Sequence, residues 1–133
     1  FKWDPNSHSR MVQEKYNWQK TKQPFERTYR LFSNLDDRYE NGIHDLMKFV
    51  KFGYGRCSDH ASKDVRSGSM SREEGIEMVR KYDHIKSSDL GRWLEYVDMT
   101  EQEFFSVCDR FRAEHLWEMK GNQWSLKKPV WID

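Results

Sequence analysis

Short apolar stripes at helical spacing alternate along this chain with polar breaks, and most stripes have a start or stop residue beside them. Residues 1–6 read as extended or turn-like, with Pro5 restricting Asp4. A first helix is expected from a cap at Asn6 or Ser7 to about Trp18, with Val12 and Tyr16 on one face. Residues 19–24 are polar and end in Pro24, which suits the first turn of a second, shorter helix reaching about Phe32. Ser33 or Asn34 caps the next, whose Ile43, Leu46, Met47 and Val50 recur at the spacing of one buried helical face. Gly42 weakens that helix, and Phe52-Gly53 is its expected stop.

Ser58 or Asp59 caps a short helix reaching Arg66, and Ser67-Gly68-Ser69 ends it. Ser71-Arg72-Glu73-Glu74 is a capping box, the strongest local signal in the chain; it opens a helix to about Tyr82 with Ile76 and Val79 facing inward. Ser88 caps a helix carrying Leu90, Trp93, Leu94 and Val97. A second capping box, Thr100 to Glu103, opens one striped with Phe104, Val107, Cys108 and Phe111. After His115 the pattern dissolves. Gly121-Asn122 separates two short aromatic runs, as a hairpin or as a tail lying across a partner. The whole predicts a mainly α fold: six or seven short helices in one compact bundle-like domain, with an irregular or short β-hairpin tail.

The 133 residues are one domain's worth of chain and long enough to bury a real core. Aromatics make up 15% and charged residues 34%, which excludes disorder and describes a hydrophilic helical surface around an aromatic-rich core. Some of those aromatics are expected to face another domain or subunit. Lys and Arg number 23 against 22 Asp and Glu, so no global basic field argues for nucleic acid. No apolar run is long enough to span a membrane. The chain opens on Phe1 with no signal-peptide pattern, the expectation for a fragment. Cys57 and Cys108 lie far apart and outside any metal spacing; they read as reduced thiols of a cytoplasmic protein, with no metal site.

Candidate chemistry concentrates between Lys51 and Gly68, where three glycines, two arginines, two lysines, two aspartates and a histidine crowd eighteen residues. Gly53-Tyr54-Gly55-Arg56 offers a backbone open to close approach followed by a guanidinium fork that suits an anion. On a helix from Ser58, His60 and Asp64 share a face, so Asp64 is placed to orient His60 as an acid or base, with Asp59 beside it and Arg56 and Arg66 supplying positive charge. The bland account makes Gly53 a helix stop, Asp59 a cap and His60 a packing residue. Trp3 and Asp4, near His8, are a third candidate, set against a buried Trp and a turn-forming Asp. Trp117, Trp124 and Trp131 with Lys120, Lys127 and Lys128 suit a stacked ligand or, more plainly, docking on a neighbouring domain.

The run KFGYGRCSDHASKDVRSGSMSREEGIEMVRKYD, with the opening FKWDPNSHSRMVQEKYNW and the later DLGRWLEYVDMTEQEFFSVCDRFR, resembles the C-terminal part of the N-acetyl sugar amidotransferases of bacterial surface-polysaccharide and lipopolysaccharide O-antigen synthesis. The resemblance covers residues 1–112, and the aromatic-rich tail 113–133 stands apart as a hairpin or docking segment. Family members carry an N-terminal ATP pyrophosphatase loop of Ser-Gly-Gly-x-Asp-Ser type, which this chain lacks. The resemblance therefore implies a helical C-terminal module without a cofactor of its own and inactive alone, with ATP and Mg belonging to the full-length enzyme. In the implied reaction ATP activates the N-acetyl oxygen of a nucleotide sugar, and ammonia then converts the group to an acetamidino group. The implied partners are the enzyme's own N-terminal ATP-binding domain, a glutaminase, and a barrel-type ammonia-delivering subunit.

Within that implied reaction, residue type and density suggest roles. Lys51, Gly53, Tyr54, Gly55, Arg56, Arg66, Trp3 and Asp4 would bind substrate, while His60, Asp59 and Asp64 would orient the acetamido group or handle the released proton. The competing expectation is a non-enzymatic helical interaction module. The first predicts Arg56, His60 and Asp64 on one concave surface; the second predicts a contiguous apolar patch at the Trp-rich end. A module separated from its core is also expected to expose aromatics or to form a homo-oligomer.

Overall fold

The computed structural model describes residues 4–32, 39 and 41–132, and among these holds six helices followed by one two-stranded sheet. Helix α1 (Pro5–Tyr16) starts slightly earlier than expected, because the Asp4 carboxylate accepts from the Asn6 backbone N–H at 3.0 Å and Pro5 fills the first helical position. Of its residues only Ser9 is buried, and Tyr16 is largely exposed rather than packed beside Val12.

The helix expected from Pro24 to Phe32 does not form. The segment folds back on itself instead, with Thr21 N–H donating to the Leu31 carbonyl and Phe25 N–H to the Arg30 carbonyl, both at 3.0 Å. Arg27 sits in the left-handed region at φ +66°, which breaks a helical ladder. The reason is tertiary. Arg27, Thr28 and Arg30 are all buried against the following helices, where each bonds a residue distant in sequence.

Helix α2 (Asn41–Phe52) buries Ile43, Leu46, Phe49 and Val50; Met47, expected inside, is exposed and Phe49 takes the inner position. The expected caps Ser33 and Asn34 lie outside the described residues. Gly53 ends the helix at φ +71°, with its N–H on the Phe49 carbonyl at 2.8 Å. Helix α3 (Arg56–Ser67) begins before Ser58 and Asp59, so neither side chain is its N-cap. Helices α4 (Arg72–Tyr82) and α6 (Glu101–Asp109) both open on complete capping boxes, as expected. Helix α5 (Leu90–Tyr96) follows Asp89 without a side-chain cap; the Ser88 N–H donates to the Glu26 carboxylate instead. Strands β1 (Trp117–Lys120) and β2 (Gln123–Leu126) form an antiparallel hairpin around Gly121-Asn122, pairing Trp117 with Leu126.

Two hydrophobic clusters result. In the larger, Ile43, Leu46 and Val50 of α2 meet Leu90 and Leu94 of α5 and Phe104 and Cys108 of α6. In the smaller, Cys57 and Ala61 of α3 meet Val79 of α4. Phe111, expected in the α6 stripe, is 59% exposed. The hairpin is pinned to α2 by an edge-on contact of Trp117 with Phe49, centroids 5.6 Å apart. Among the described residues no helix is long and apolar enough to cross a membrane.

Candidate functional site

The turn between α2 and α3 is where the sequence places a candidate anion cradle. Gly55 precedes α3 in extended backbone, and the free N–H groups of that helix end are the natural anion donors. They are already engaged by the protein itself. The Asp83 carboxylate, at the C-terminal end of α4 and fully buried, accepts from Gly55 N–H at 2.8 Å, Ser58 N–H at 3.2 Å and the Ser58 hydroxyl at 2.6 Å. A Cβ on Gly55 would come within 2.9 Å of Asp83 Oδ1, so glycine is what allows the approach. The Asp83 carbonyl in turn accepts from the Arg27 guanidinium. Arg27 is fully buried with its face against the Phe49 ring, and burial lowers its pKa against the pull of Asp83, Asp45 and Glu26. The buried Cys57 thiol is pushed up to about 12 by desolvation and by Asp83, which keeps it an unreactive thiol.

Beside this hub opens a cleft of about 750 Å³, bounded by the folded-back segment, the start of α2, α3 and the residues before α5. Arg56 and His60, one turn apart on α3, both line it, with Thr28 and Asp45. The Arg56 guanidinium grips the buried Asp45 carboxylate through Nε at 3.0 and 3.1 Å and Nη2 at 2.9 Å. That bonding raises the Arg56 pKa, outweighing the cost of its partial burial. The cleft's charges balance: Lys20, Lys22 and Arg56 face Glu26, Asp45 and Asp89.

His60 is buried, with Nδ1 2.7 Å from the Thr28 hydroxyl and its ring edge-on to Tyr29. Burial, then Arg30, Arg56 and Lys63, lower its pKa from 6.5 to about 4 against the pull of Asp59, so the ring is neutral at physiological pH. Asp64 does not orient it. That carboxylate is held by Arg30 at 2.6 Å and by the Tyr29 hydroxyl, and lines a separate shallow pocket with Asp4 and Arg66. The Tyr29 pKa is raised by its burial and by the Asp64 hydrogen bond.

The remaining sequence-predicted residues scatter. Asp59 pairs with Lys48 on the α2 side. Tyr54 and Lys51 are exposed, Tyr54 tilted against Phe52 and Lys51 over the Phe52 ring. Gly53 is the αL stop of α2, and Arg66 is exposed with Nε on the Ser62 carbonyl. Trp3 lies outside the described residues. Sequence reasoning missed Thr28, Arg30, Asp45 and Asp83. Two of them carried a signal: Asp45 interrupts the apolar face of α2, and Asp83 puts an acid at a helix C-terminus, where cations are favoured.

A second groove, of about 660 Å³, runs between α2 and the hairpin, lined by Phe49, Trp117, Trp124 and Trp131. Arg112 lies over both Trp117 and Trp124, 4.3 and 5.2 Å from their centroids. Among the described residues no group of three or more His, Cys, Asp or Glu could hold a metal ion.

One protein-family model matches the chain, over residues 26–130: lipopolysaccharide (LPS) biosynthesis protein WbpG-like, C-terminal domain. The match takes in residues 26–32 of the folded-back segment, the α2–α3 turn, Arg56 and His60 of the cleft, and the hairpin, but not residues 20–25, and the chain belongs to this family of LPS biosynthesis protein modules. No curated protein matches it.

Proposed function

From family membership and the cleft together, we propose that this chain is the C-terminal module of an ATP-dependent amidotransferase that turns the N-acetyl group of a nucleotide sugar into an acetamidino group during O-antigen synthesis. The observation that carries the reading is the convergence of Arg56 and His60, the two most chemically capable residues of the 51–68 run, on one cleft of ligand size. Lys20 and Lys22 border it and suit the diphosphate, while the polar floor suits the sugar. Asp59 and Asp64 act here as structural carboxylates that hold Lys48 and Arg30.

The chain carries no phosphate loop of the kind that would hold ATP, and the glycine-flanked end of α3 is closed by Asp83. Activation by ATP is therefore assigned to an N-terminal domain, and this module binds and orients the sugar. The aromatic groove, with Met119 and Ile132 exposed, suits docking of that domain, of a glutaminase or barrel-type subunit, or of a second copy.

The test is calorimetry with UDP-N-acetylglucosamine on the chain and on Arg56→Lys. The variant keeps a cation beside Asp45 but loses the planar fork. Saturable binding weakened about tenfold in the variant is expected. A wild-type chain that takes up no sugar nucleotide at millimolar concentration refutes the placement of the substrate on this module.

A further inference from the structure

The hydrogen bonds around His60 determine which of its ring nitrogens carries the proton. Thr28 is 2% exposed, and its hydroxyl has two neighbours, His60 Nδ1 at 2.7 Å and the Arg30 backbone N–H at 3.4 Å. The Arg30 N–H can only donate. If Nδ1 also donated, the hydroxyl oxygen would accept twice and its own hydrogen would point at no acceptor inside a sealed site, an expensive arrangement. With the hydroxyl donating to Nδ1, the hydroxyl is satisfied both as donor and as acceptor, and the ring proton falls on Nε2. The sealed side-chain nitrogens without a partner are Arg27 Nε and Nη1, Arg30 Nε and Trp117 Nε1. His60 Nε2 is not among them and has no hydrogen-bond partner among the described residues, while His60 lines the cleft. On a residue that lines the cleft, Nε2 is therefore the ring nitrogen left for a ligand.

We propose that His60 is a fixed neutral donor, held by Thr28 in the tautomer that presents Nε2–H to the cleft, where it takes the uncharged amide oxygen of an acetamido group. The assignment of the ligand rests on the cleft being the sugar site. Thr28 is the positioning residue and His60 the one that touches ligand. Three cations, Arg30, Arg56 and Lys63, oppose protonation of the ring, and Asp59 alone favours it. A neutral N–H in a charge-balanced cleft selects a carbonyl oxygen over a phosphate, and polarises it without taking up a proton. His60 is therefore not the base for an amination.

The experiment is nitrogen-15 NMR of the imidazole in the full 133-residue chain, with UDP-N-acetylglucosamine as the probe. The expected spectrum has Nε2 protonated and Nδ1 in the hydrogen-bonded lone-pair range, unchanged between about pH 5.5 and 8. The Nε2–H signal should move when the probe is added. In Thr28→Val a second tautomer should appear and probe affinity fall about tenfold. His60→Gln, whose amide N–H reaches the Nε2 position, should stay within about threefold of wild type where His60→Leu falls tenfold or more. A protonated Nδ1, or a ring that titrates in the stated range, overturns the donor. If Arg56 Nε–H responds to the probe and His60 does not, the assigned ligand is wrong. If no cleft signal responds, the sugar-site reading fails and the ligand assignment with it, while the tautomer is still decided by the spectrum without probe.

Discussion

Replacing Asp83 tests whether the α2–α3 turn is held by a carboxylate that reaches it from another helix. The Asp83→Asn side chain keeps the shape but loses the charge, and one of its two terminal atoms becomes a donor facing N–H and O–H groups. Three donors converge on the native carboxylate, at 2.8, 3.2 and 2.6 Å, inside a residue with no exposure. Hydrogen bonds to a charged acceptor contribute about 1.5–3 kcal/mol each, and an anion at a helix N-terminus adds up to about 2 kcal/mol when buried. Desolvation of the carboxylate offsets part of this. A net loss on the order of 3 kcal/mol follows for Asn, and more for Ala, from a total stability on the order of 5–15 kcal/mol. Urea unfolding followed by tryptophan fluorescence would measure it, with the midpoint falling and the slope unchanged. Amide exchange at Ser58, Asp59 and His60 should accelerate with it, because those groups open when the cap is lost. A loss below about 1 kcal/mol in both variants would sink the idea that Asp83 organises this turn.

Three further outcomes are expected. Arg56→Ala leaves Asp45 buried without its cation and should cost about 3–5 kcal/mol, whereas Arg56→Lys should lose less than half of that in the same urea assay. Folding suppresses His60 protonation, from an ordinary pKa of 6.5 to about 4, so the stability present above pH 6.5 is lost as pH falls towards 4, on the order of 3 kcal/mol. His60→Gln removes that slope while leaving the carboxylates alone, so the difference between the two chains' stability-versus-pH curves isolates it; parallel curves would contradict the buried neutral ring. Lys22→Ala touches only an exposed border of the cleft and should leave stability within about 0.5 kcal/mol while weakening UDP-N-acetylglucosamine binding a few-fold in calorimetry at low salt.

What could be read from the sequence is what is encoded locally. The capping boxes at Ser71 and Thr100 and the apolar periodicity of α2, α5 and α6 depend on residues within one or two turns of each other; the structure has both boxes and the three helices, with Met47 and Phe111 the stripe members left exposed. The failures share a cause. Residues 24–32 have no periodic stripe to reveal that Arg27, Thr28 and Arg30 are buried, because each bonds a residue more than thirty positions away: Asp83, His60 and Asp64. The start of α3 was misplaced for the same reason. Ser58 and Asp59 each offer a local cap, but the acceptor comes from the far end of α4. Spacing suggested a His60–Asp64 pair, since positions four apart do share a helical face. Both residues do face the folded-back segment, and each finds its partner there rather than in the other.

That segment decides which substitutions can report on function. One wall of the cleft is attached to α3 and α4 by three buried polar contacts, Arg27 with the Asp83 carbonyl, Thr28 with His60, and Arg30 with Asp64. Two of the three involve full charges in places with little or no water, and removing one partner strands the other. Loss of activity on replacing Arg27, Arg30, Asp64 or Asp83 therefore carries no information about catalysis, because each change loosens the wall whatever the wall binds. The contact between Thr28 and His60 is different: both groups are neutral, and replacement costs at most a hydrogen bond and some packing. It is also the contact that faces the cleft. Functional sensitivity at Thr28 and His60 that exceeds their effect on unfolding, set beside the reverse at Asp83, distinguishes a substrate site from a well-capped structural turn.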